Sequence, residues 1–558
     1  MTIPGSPASR VRGAAIVAPL VVFAIALVAR LVGIHHTPYV DELNHVMAAH
    51  SLLARGTLQL DAGGEPYTRA RLFTSLVAAL FRLFGESLAV ARIPAVIAGA
   101  ALVAVLFVWV RSVAGRGAAW TAAMLFSFQP QSLYLSQLAR FYTIQTLCFF
   151  AGAVCVYRAI TGTTLPRRRV AQLGAGAVLL FALALHFQVI TIVGIAAVIG
   201  WAVADTLVSW RHAHAGRRLS GAQLGGSAAV VLVFLAVAAL AIRGGVVRHG
   251  LALFSYVDLW AEANRHNVRY YHDIFLDQYA TIWTLFPLLA LLAIARNGRA
   301  ALFCLVVFVV AFVVHSLAAW KAERYLFSVM PMFFAVVGMG VAEGVRRLRP
   351  ALKGAADWMS GGAMSARARD GVVAIALALA AIFALAGNGA TSYAIKMLRT
   401  SDADWQLALL YRGQPDWDAA LPVLAPAADS SAVLISTSEL KALYYLHRLD
   451  VLLSVDYLGD PRHPGAQFSS FRKLAKPVVS TSESLDQLRA CFPSGLIVSE
   501  KGQWRTPWSV RSAVADHIES TMEPVRLPPS ARLLAFRWRT PKADSAANCE
   551  AIHDVVHR

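Results

Sequence analysis

The sequence contains few charged residues and few cysteines. Only 15% of its 558 residues are charged, whereas a soluble globular protein carries about a quarter. Acidic residues are fewer than basic ones, with 32 Asp and Glu against 51 Lys and Arg, and the formal net charge is +19. The 5 cysteines make no metal or disulfide framework. This composition excludes a water-soluble enzyme, a disordered protein and a disulfide scaffold.

The sequence is instead rich in long runs of apolar residues. Hydrophobic residues make up 57% of the chain, and the mean hydropathy is +0.56. Runs of about 17 to 22 residues can cross about 30 Å of hydrocarbon, so the sequence predicts a polytopic α-helical membrane protein with about eleven transmembrane helices. We place them at 13–34, 93–110, 117–135, 142–160, 170–186, 187–208, 226–243, 279–295, 300–317, 325–345 and 371–390.

The predicted inner loops are short and basic. With the N-terminus on the cytoplasmic side, these loops contain Arg111, Arg116, the run 167–169, Arg296 and Arg299. This distribution follows the positive-inside rule, which explains the basic balance of the chain without a nucleic-acid partner. An odd number of spans then places everything after residue 390 outside the cell membrane.

Two predicted outer loops, 35–92 and 244–278, are too long to be simple connectors. They belong to a predicted membrane module formed by residues 1–390, and the stretch Leu72–Phe84 could lie along the membrane surface. Residues 391–558 repeat a strand–helix–strand pattern that predicts a soluble α/β domain. Two of its cysteines, Cys491 and Cys549, would lie in an oxidising compartment, where a disulfide is permitted.

Two adjacent carboxylates, Asp41 and Glu42, follow the first apolar helix at the outer membrane edge. This placement is costly unless the carboxylates are used or paired. In a helix, Asp41 and His45 share one face at i, i+4, where they could supply a general base or bind a metal. The alternative is an acidic helix N-terminus favoured by the helix dipole, with Glu42 paired to a basic residue.

Several short motifs occur in a fixed order along the chain. They are Asp41-Glu42, then 64–73 with Phe84–Ser87 and Ala91–Pro94, then Gln129-Pro130 with 136–142, then Glu323–Leu326 with Pro331, and finally 444–448. In this order they resemble the GT-C superfamily of membrane glycosyltransferases, which includes the protein O-mannosyltransferases and the lipid A aminoarabinose transferase. Relatives often carry Lys-Pro-Pro where this chain has Arg69-Ala70-Arg71, so an arginine would take over the lysine's contact with the donor phosphate.

The resemblance implies transfer of a sugar from a polyprenyl-phosphate donor to an acceptor hydroxyl or amine. The expected location is the periplasmic side of a bacterial inner membrane, and one direct displacement implies inversion at the anomeric carbon. Asp41 is the expected base that removes the acceptor proton, and Glu42 is the second catalytic candidate. The expected ligands of the departing phosphate are Arg69 or Arg71, Arg140 and Arg324.

Further residues are candidate substrate contacts, namely Tyr142, Tyr325, Arg265 and Arg269. The tyrosines also fit an interfacial aromatic belt. The two arginines are four residues apart in the second outer loop and could help hold a phosphate or an acidic acceptor. Arg140 can alternatively snorkel to lipid headgroups, and Arg324 can alternatively pair with Glu323 or Asp273.

The sequence identifies no certain cofactor, and a divalent metal ion is a possible one. The candidate ligands are Asp41, His45, His266 and His272, whose spacing matches no named zinc pattern. For the two histidines of the second outer loop, a solvated polar loop is the alternative.

A transporter or flippase of a lipid-linked or anionic substrate is the main alternative function. It would favour ionisable residues at mid-membrane and broken helices near the midplane, whereas the charges here cluster at outer helix ends. A non-catalytic scaffold whose outer domain binds a partner is a second alternative. In the enzyme interpretation, we expect the C-terminal domain to cap the cavity and to help choose the acceptor, which can be a protein, a lipid or a glycan.

Overall fold

The computed structural model describes residues 7–162, 164–214, 243, 264–399, 415–455, 468–471, 473–539 and 549–557. The predicted span at 226–243 lies outside the described residues except for its last position, and so does the first part of the second outer loop. Within the described residues, the chain begins as a bundle of apolar helices and ends as an α/β domain.

The helical bundle contains most of the long apolar segments. Its helices are α1 (Pro7–Leu31), α2 (Val40–Arg55), α3 (Arg71–Phe84), α4 (Leu88–Ala114), α5 (Arg116–Ser127), α6 (Pro130–Ser136), α7 (Tyr142–Thr161), α8 (Arg167–Phe187), α9 (Ile192–His214), α10 (Tyr270–Leu317), α11 (Met330–Met359), α12 (Ala366–Ala386) and α13 (Gly389–Arg399). In the described part of the chain, 7 helical segments are long and apolar enough to cross a membrane, and Ile16–Leu31 is a shorter apolar helix. The protein is therefore a multi-pass membrane protein, while the total of eleven spans stays a prediction.

Local breaks divide the apolar segments into separate crossings. Helix α10 has 48 residues and departs from helical backbone angles at Tyr279 and Asn297. An unbroken helix of that length would measure about 70 Å, more than twice the hydrocarbon thickness, so the break at Asn297 separates two crossings. Helices α8 and α9 are separated by the short turn Val189–Thr191, which confirms the predicted break after His186.

The predicted span at 117–135 is wrong as a single helix. Helix α5 ends at Ser127, and Gln129 starts α6 by accepting a hydrogen bond from the Ser132 backbone N–H with its side-chain oxygen. Pro130 occupies the first turn of α6, where its missing N–H does no harm, but the same residue could not continue the hydrogen-bond ladder of α5. The break makes α6 a separate short helix, and α6 lines the candidate site.

Among its described residues, the C-terminal domain contains a seven-stranded sheet. Its strands are β1 (Val433–Ser436), β2 (Val451–Leu453), β3 (Ser469–Phe471), β4 (Lys476–Val479), β5 (Ser494–Glu500), β6 (Glu523–Pro524) and β7 (Leu533–Arg539), in the order β3-β4-β2-β1-β5-β7-β6. The central strands β4, β2, β1 and β5 are parallel, and β3, β7 and β6 add antiparallel edges. Every residue of β1 and β2 is buried, as expected for parallel strands that are covered on both faces.

Helices cover this sheet, in agreement with the predicted α/β domain. They are α14 (Trp417–Asp429), α15 (Glu439–Leu446), α16 (Ser482–Cys491), α17 (Ser512–Thr521) and α18 (Cys549–His557). A disulfide between Cys491 and Cys549 joins α16 to α18. The sequence permitted this bond without requiring it.

Helix α2 belongs to the hydrophobic cores of both parts of the chain. Val46 and Ala49 pack in the core of the helical bundle. Leu43 and Ala48 instead pack in a cluster that includes Trp417 and other side chains of the C-terminal domain. The helix that carries Asp41 is therefore held between the bundle and the soluble domain.

The loop between α2 and α3 also contacts the soluble domain. A Cβ atom at Gly64 would lie 2.3 Å from the carbonyl oxygen of Lys473, so only glycine permits this approach. Close by, Lys476 Nζ lies 3.5 Å from Asp61 Oδ2. This contact fixes the position of the chain just before β4 relative to the first outer loop.

Candidate active site

Glu42 is part of the framework that orients the start of α2. Its Oε1 accepts from the Tyr39 backbone N–H at 2.8 Å, which satisfies a free donor at the helix N-terminus. Arg92 donates to Oε1 at 2.6 Å and to Oε2 at 3.0 Å, and the Ala139 N–H donates to Oε2 at 2.8 Å. Neither side chain of the pair is exposed. Because a base must contact substrate, this geometry favours the structural alternative for Glu42.

Asp41, the residue before Glu42, is 34% exposed at its side chain. Its Oδ2 lies 3.7 Å from Nη2 of Arg140, whose Nη1 donates to the Asp41 backbone carbonyl at 2.8 Å. Burial opposes ionisation of Asp41, but the cations of Arg140, Arg324, Arg69 and Lys473 together hold its pKa below the ordinary value. Asp41 is therefore an ionised carboxylate with a free edge.

Arg140 points into the protein and does not snorkel to the membrane surface. Its side chain is 2% exposed, and Nη2 donates to the Tyr142 hydroxyl at 3.2 Å. The guanidinium also lies 5.1 Å from the ring centre of Phe141 and 5.3 Å from that of Tyr142. Burial disfavours its charge, yet the neighbouring Tyr142 and Asp41 raise the pKa of Arg140. The headgroup alternative is wrong for this residue.

The two arginines of the segment 69–71 have different surroundings. Arg69 Nη2 donates to Gln188 Oε1 at 3.0 Å, and its guanidinium lies 5.5 Å from the centre of the Phe141 ring. Arg71 is exposed at the start of α3 and lies near His186. Of the two, Arg69 is the one that acts on the Asp41 carboxylate.

Ala70 produces this separation through an unusual backbone conformation. Its φ of 48° and ψ of 49° lie in the left-handed region, which costs a residue with a Cβ about 1–2 kcal/mol. Proline is restricted to φ near −65°, so the Lys-Pro-Pro of the relatives could not follow the same path. The Arg-Ala-Arg of this chain is thus a different local structure as well as a different charge.

Arg324 lies on the short turn Glu323–Tyr325 that precedes the next span. Burial opposes its charge, but Tyr142 and Asp41 raise the pKa of Arg324 well above the ordinary value. Its guanidinium lies 5.5 Å from the ring centre of Tyr325. Glu323, the alternative partner, instead accepts a hydrogen bond from Gln278 Nε2 at 3.3 Å.

These side chains surround one small cavity. It is lined by Tyr39, Asp41, Gln131, Tyr134, Leu135, Leu138, Arg140, Tyr142, Glu323 and Arg324. Its volume of about 30 Å³ holds little more than one water molecule. A ligand larger than a water molecule therefore enters only when the lining side chains move apart.

The soluble domain contributes a lysine to this site. Lys473, just before β4, has its Nζ 4.0 Å from Glu439 Oε1, and its side chain is 30% exposed. Burial lowers the pKa of Lys473, while Glu439 and Asp41 act in the opposite direction. Sequence reasoning missed this residue because nothing in its local pattern relates it to Asp41, more than 400 positions earlier.

The candidate metal ligands do not form a cluster. Thr74 Oγ1 lies 2.8 Å from Nδ1 of His45, and the rings of Tyr67, Phe73 and Phe141 surround the imidazole. Burial, with the cations of Arg140 and Arg69, holds the pKa of His45 well below its ordinary value. No group of three or more His, Cys, Asp or Glu side chains able to hold a metal occurs in the described ranges. We therefore derive no metal-dependent step.

Most of the remaining predicted residues do not line the Asp41 cavity. His266 is exposed, and His272 Nδ1 accepts from Trp283 Nε1 at 3.1 Å. The carbonyl of Arg265 accepts from Lys321 Nζ at 2.9 Å, and Arg269 pairs with Asp273 at 3.7 Å on the surface. Tyr142 lines the cavity, and Tyr325 lies beneath Arg324.

A second, apolar cavity of about 280 Å³ reaches the beginning of α6. Its walls include Phe128, Tyr279, Phe334 and Leu398, and Gln129 contributes a polar edge. Gln129 is the residue that begins α6, and other residues of α6 line the Asp41 cavity. The two cavities therefore meet at one short helix.

These features define a class of protein, namely a multi-pass membrane protein with a helical bundle and a C-terminal α/β domain. The chain is similar to the crystal structure of ArnT from Cupriavidus metallidurans bound to undecaprenyl phosphate. The TM-score is 0.57 at 14% identity, over 93% of this chain and 97% of that chain. The apo state of ArnT gives a TM-score of 0.54 at 15% identity, over 95% and 98% of the two chains.

A weaker likeness extends to the oligosaccharyltransferase AglB of Archaeoglobus fulgidus. Its TM-score is 0.48 at 14% identity, over 87% of this chain and 69% of that chain. No protein-family profile and no curated protein sequence matches the chain. The similarity to the two ArnT structures confirms the predicted resemblance to the GT-C superfamily at the level of the fold.

Proposed function

We propose that this protein is a glycosyltransferase that moves a sugar from a polyprenyl-phosphate donor to an acceptor on the outer side of the membrane. The observation that carries the proposal is the ionised, partly exposed Asp41 beside Arg69, Arg140 and Arg324. A carboxylate is suited to accept the acceptor's proton, and guanidinium groups are suited to bind a phosphate. The similar ArnT structure holds undecaprenyl phosphate.

The reaction follows from this arrangement of charges. The acceptor oxygen or nitrogen attacks the anomeric carbon while its proton passes to Asp41, a step that typically contributes 10²–10⁴-fold to the rate. The bond between the anomeric carbon and the phosphate oxygen breaks, and the arginines stabilise the charge that develops on the phosphate. A single displacement of this kind inverts the anomeric configuration.

The apolar cavity accounts for the lipid part of the donor. An isoprenoid chain in the cavity lined by Phe128 and Tyr279 would reach the Asp41 cavity along α6. The phosphate that joins lipid to sugar would then lie between the two cavities, close to Arg324. This arrangement explains why a sugar-transferring enzyme is built into a helical bundle.

The orientation rests on two independent features. The basic loops follow the positive-inside rule when the N-terminus is cytoplasmic. The disulfide between Cys491 and Cys549 supports an oxidising compartment for the soluble domain, as in the periplasm of bacteria. Lys473 brings this domain to the reaction centre, which supports a role for the domain in choosing the acceptor.

The test compares the wild-type protein with Asp41→Asn. Purified protein is mixed with labelled polyprenyl-phosphate sugars and an extract of envelope acceptors, and the release of polyprenyl phosphate is followed. We expect acceptor-dependent release that falls at least 100-fold in Asp41→Asn. The control is Glu86→Gln, which removes an exposed carboxylate from the same module and leaves turnover unchanged.

Two other outcomes would contradict the proposal in different ways. Normal turnover by Asp41→Asn would remove Asp41 as the base. No turnover with any donor, together with equal donor binding by both proteins, would favour a transporter or flippase.

A further inference from the structure

A second carboxyl group, Glu323, shares the cavity with Asp41. It lies on the turn Glu323–Tyr325, directly before Arg324. The guanidinium of Arg324 acts on Asp41 and Tyr142 rather than on its neighbour. The two carboxyl groups therefore face one cavity from different elements, one from α2 and one from the turn before α11.

The surroundings of Glu323 differ from those of Asp41. Its partner is the neutral amide of Gln278, whose Nε2 donates to Oε2 at 3.3 Å, and Asp277 adds a like charge nearby. The adjacent cation, Lys321, donates to the carbonyls of Ala318 at 2.6 Å and Arg265 at 2.9 Å and so is directed elsewhere.

The protonation states of the two groups separate accordingly. Burial raises the pKa of Glu323 to about 7, the hydrogen bond from Gln278 acts against this, and Asp277 adds to it. Arginines hold the pKa of Asp41 below its ordinary value. Two carboxyl groups whose pKa values are displaced in opposite directions are the usual arrangement for an acid and a base in one site.

The position of Glu323 also relates it to the leaving group. Gln278, which donates to Glu323, is followed by Tyr279, which lines the apolar cavity. Glu323 therefore lines the Asp41 cavity itself and, through Gln278, is held next to a residue that lines the apolar cavity. If a donor occupies both cavities, its phosphate lies where the two meet, within reach of Glu323.

We propose that Glu323 is a second catalytic residue, a general acid that donates its proton to the phosphate oxygen that departs from the sugar. This inference rests on the proposed function. The acceptor's proton passes to Asp41 as the new glycosidic bond forms. As the bond from the anomeric carbon to the phosphate oxygen breaks, that oxygen receives the proton of Glu323. Exchange with water then deprotonates Asp41 and reprotonates Glu323.

The test is the pH dependence of polyprenyl phosphate release. In the wild-type protein, kcat/KM should fall about tenfold per pH unit above pH ~7, because the acid must be protonated. Glu323→Gln should lower the rate about 10²–10⁴-fold and abolish this alkaline decline, whereas Glu323→Asp should retain it. Asp277→Asn removes the like charge and should move the decline to lower pH by less than one unit without lowering the plateau.

Each result supports or overturns the inference. A wild-type rate that is constant up to pH 9, or a Glu323→Gln rate within threefold of wild type, would overturn it. A slow Glu323→Gln variant that keeps the alkaline decline would indicate a structural role and also overturn it. No turnover by the wild type with any donor would instead refute the proposed function, and the role of Glu323 with it.

Discussion

The adjacent residues Asp41 and Glu42 should respond in opposite ways to the same chemical change. Replacing Glu42 with Gln removes one negative charge from a pair that has no exposed surface on either side chain. An amide can accept hydrogen bonds through one oxygen only, whereas both oxygens of Glu42 accept from N–H groups. The amide nitrogen would therefore face donors, and Arg92 would remain a buried charge without its counter-ion.

The expected cost follows from this geometry. Removing one partner of a buried ion pair typically costs about 3–5 kcal/mol, because the remaining charge stays desolvated. At about 1.4 kcal/mol per factor of ten, the ratio of folded to unfolded protein would fall about 10²- to 10⁴-fold. Asp41→Asn should cost clearly less than Glu42→Gln, because the Asp41 side chain is partly exposed and Arg140 keeps its hydrogen bonds to the Asp41 backbone carbonyl and the Tyr142 hydroxyl.

The assay measures unfolding in mixed micelles by titration with a denaturing detergent, together with turnover at a temperature where each variant is folded. We expect Glu42→Gln to be unstable but active when folded, and Asp41→Asn to be stable and inactive. Combining Glu42→Gln with Arg92→Met should recover part of the lost stability, because the variant then carries neither charge of this buried pair. A Glu42→Gln variant as stable as wild type, or a folded one that is inactive, would refute the reasoning.

Three further predictions concern the residues around Asp41. Arg69→Ala should raise the KM for the donor at least tenfold, while Arg71→Ala changes it less than threefold. Equal effects would contradict the assignment of Arg69 alone to the site. Gly64→Val should lower the midpoint of thermal unfolding, because its Cβ would meet the Lys473 carbonyl at 2.3 Å, and an unchanged midpoint would contradict this contact. Lys473→Met should move the acid limb of the pH–rate profile to higher pH by less than one unit, because Lys473 helps to lower the pKa of Asp41. An unchanged acid limb would show that Lys473 does not act on Asp41.

Much of the fold follows from one-dimensional patterns. Apolar length predicts most of the spans, and the alternation of apolar segments with turns predicts the strands of the soluble domain. The prediction of a single helix at 117–135 was wrong because a hydropathy run shows that a segment is apolar but not whether the helix is continuous. Gln129 and Pro130 end one helix and begin another inside a run that is still apolar.

The candidate site was only partly predictable for a different reason. Asp41, Arg140 and Arg324 lie within the motifs that carry the resemblance. The sequence could therefore predict that they belong to one site. The distinction between Asp41 and Glu42 depends on which side of α2 meets Arg92, and this is a property of packing. Lys473 depends on a contact between distant parts of the chain, which no local pattern encodes.

The double attachment of α2 limits how such a protein can be recombined. Leu43 and Ala48 pack with the soluble domain, while Glu42 is tied to Arg92 in the bundle. A hybrid that takes its soluble domain from a relative would inherit foreign neighbours for the helix that carries Asp41. Functional exchange of the domain therefore requires matched replacement of the outward side of α2, so these two distant stretches of sequence should co-evolve as a single unit.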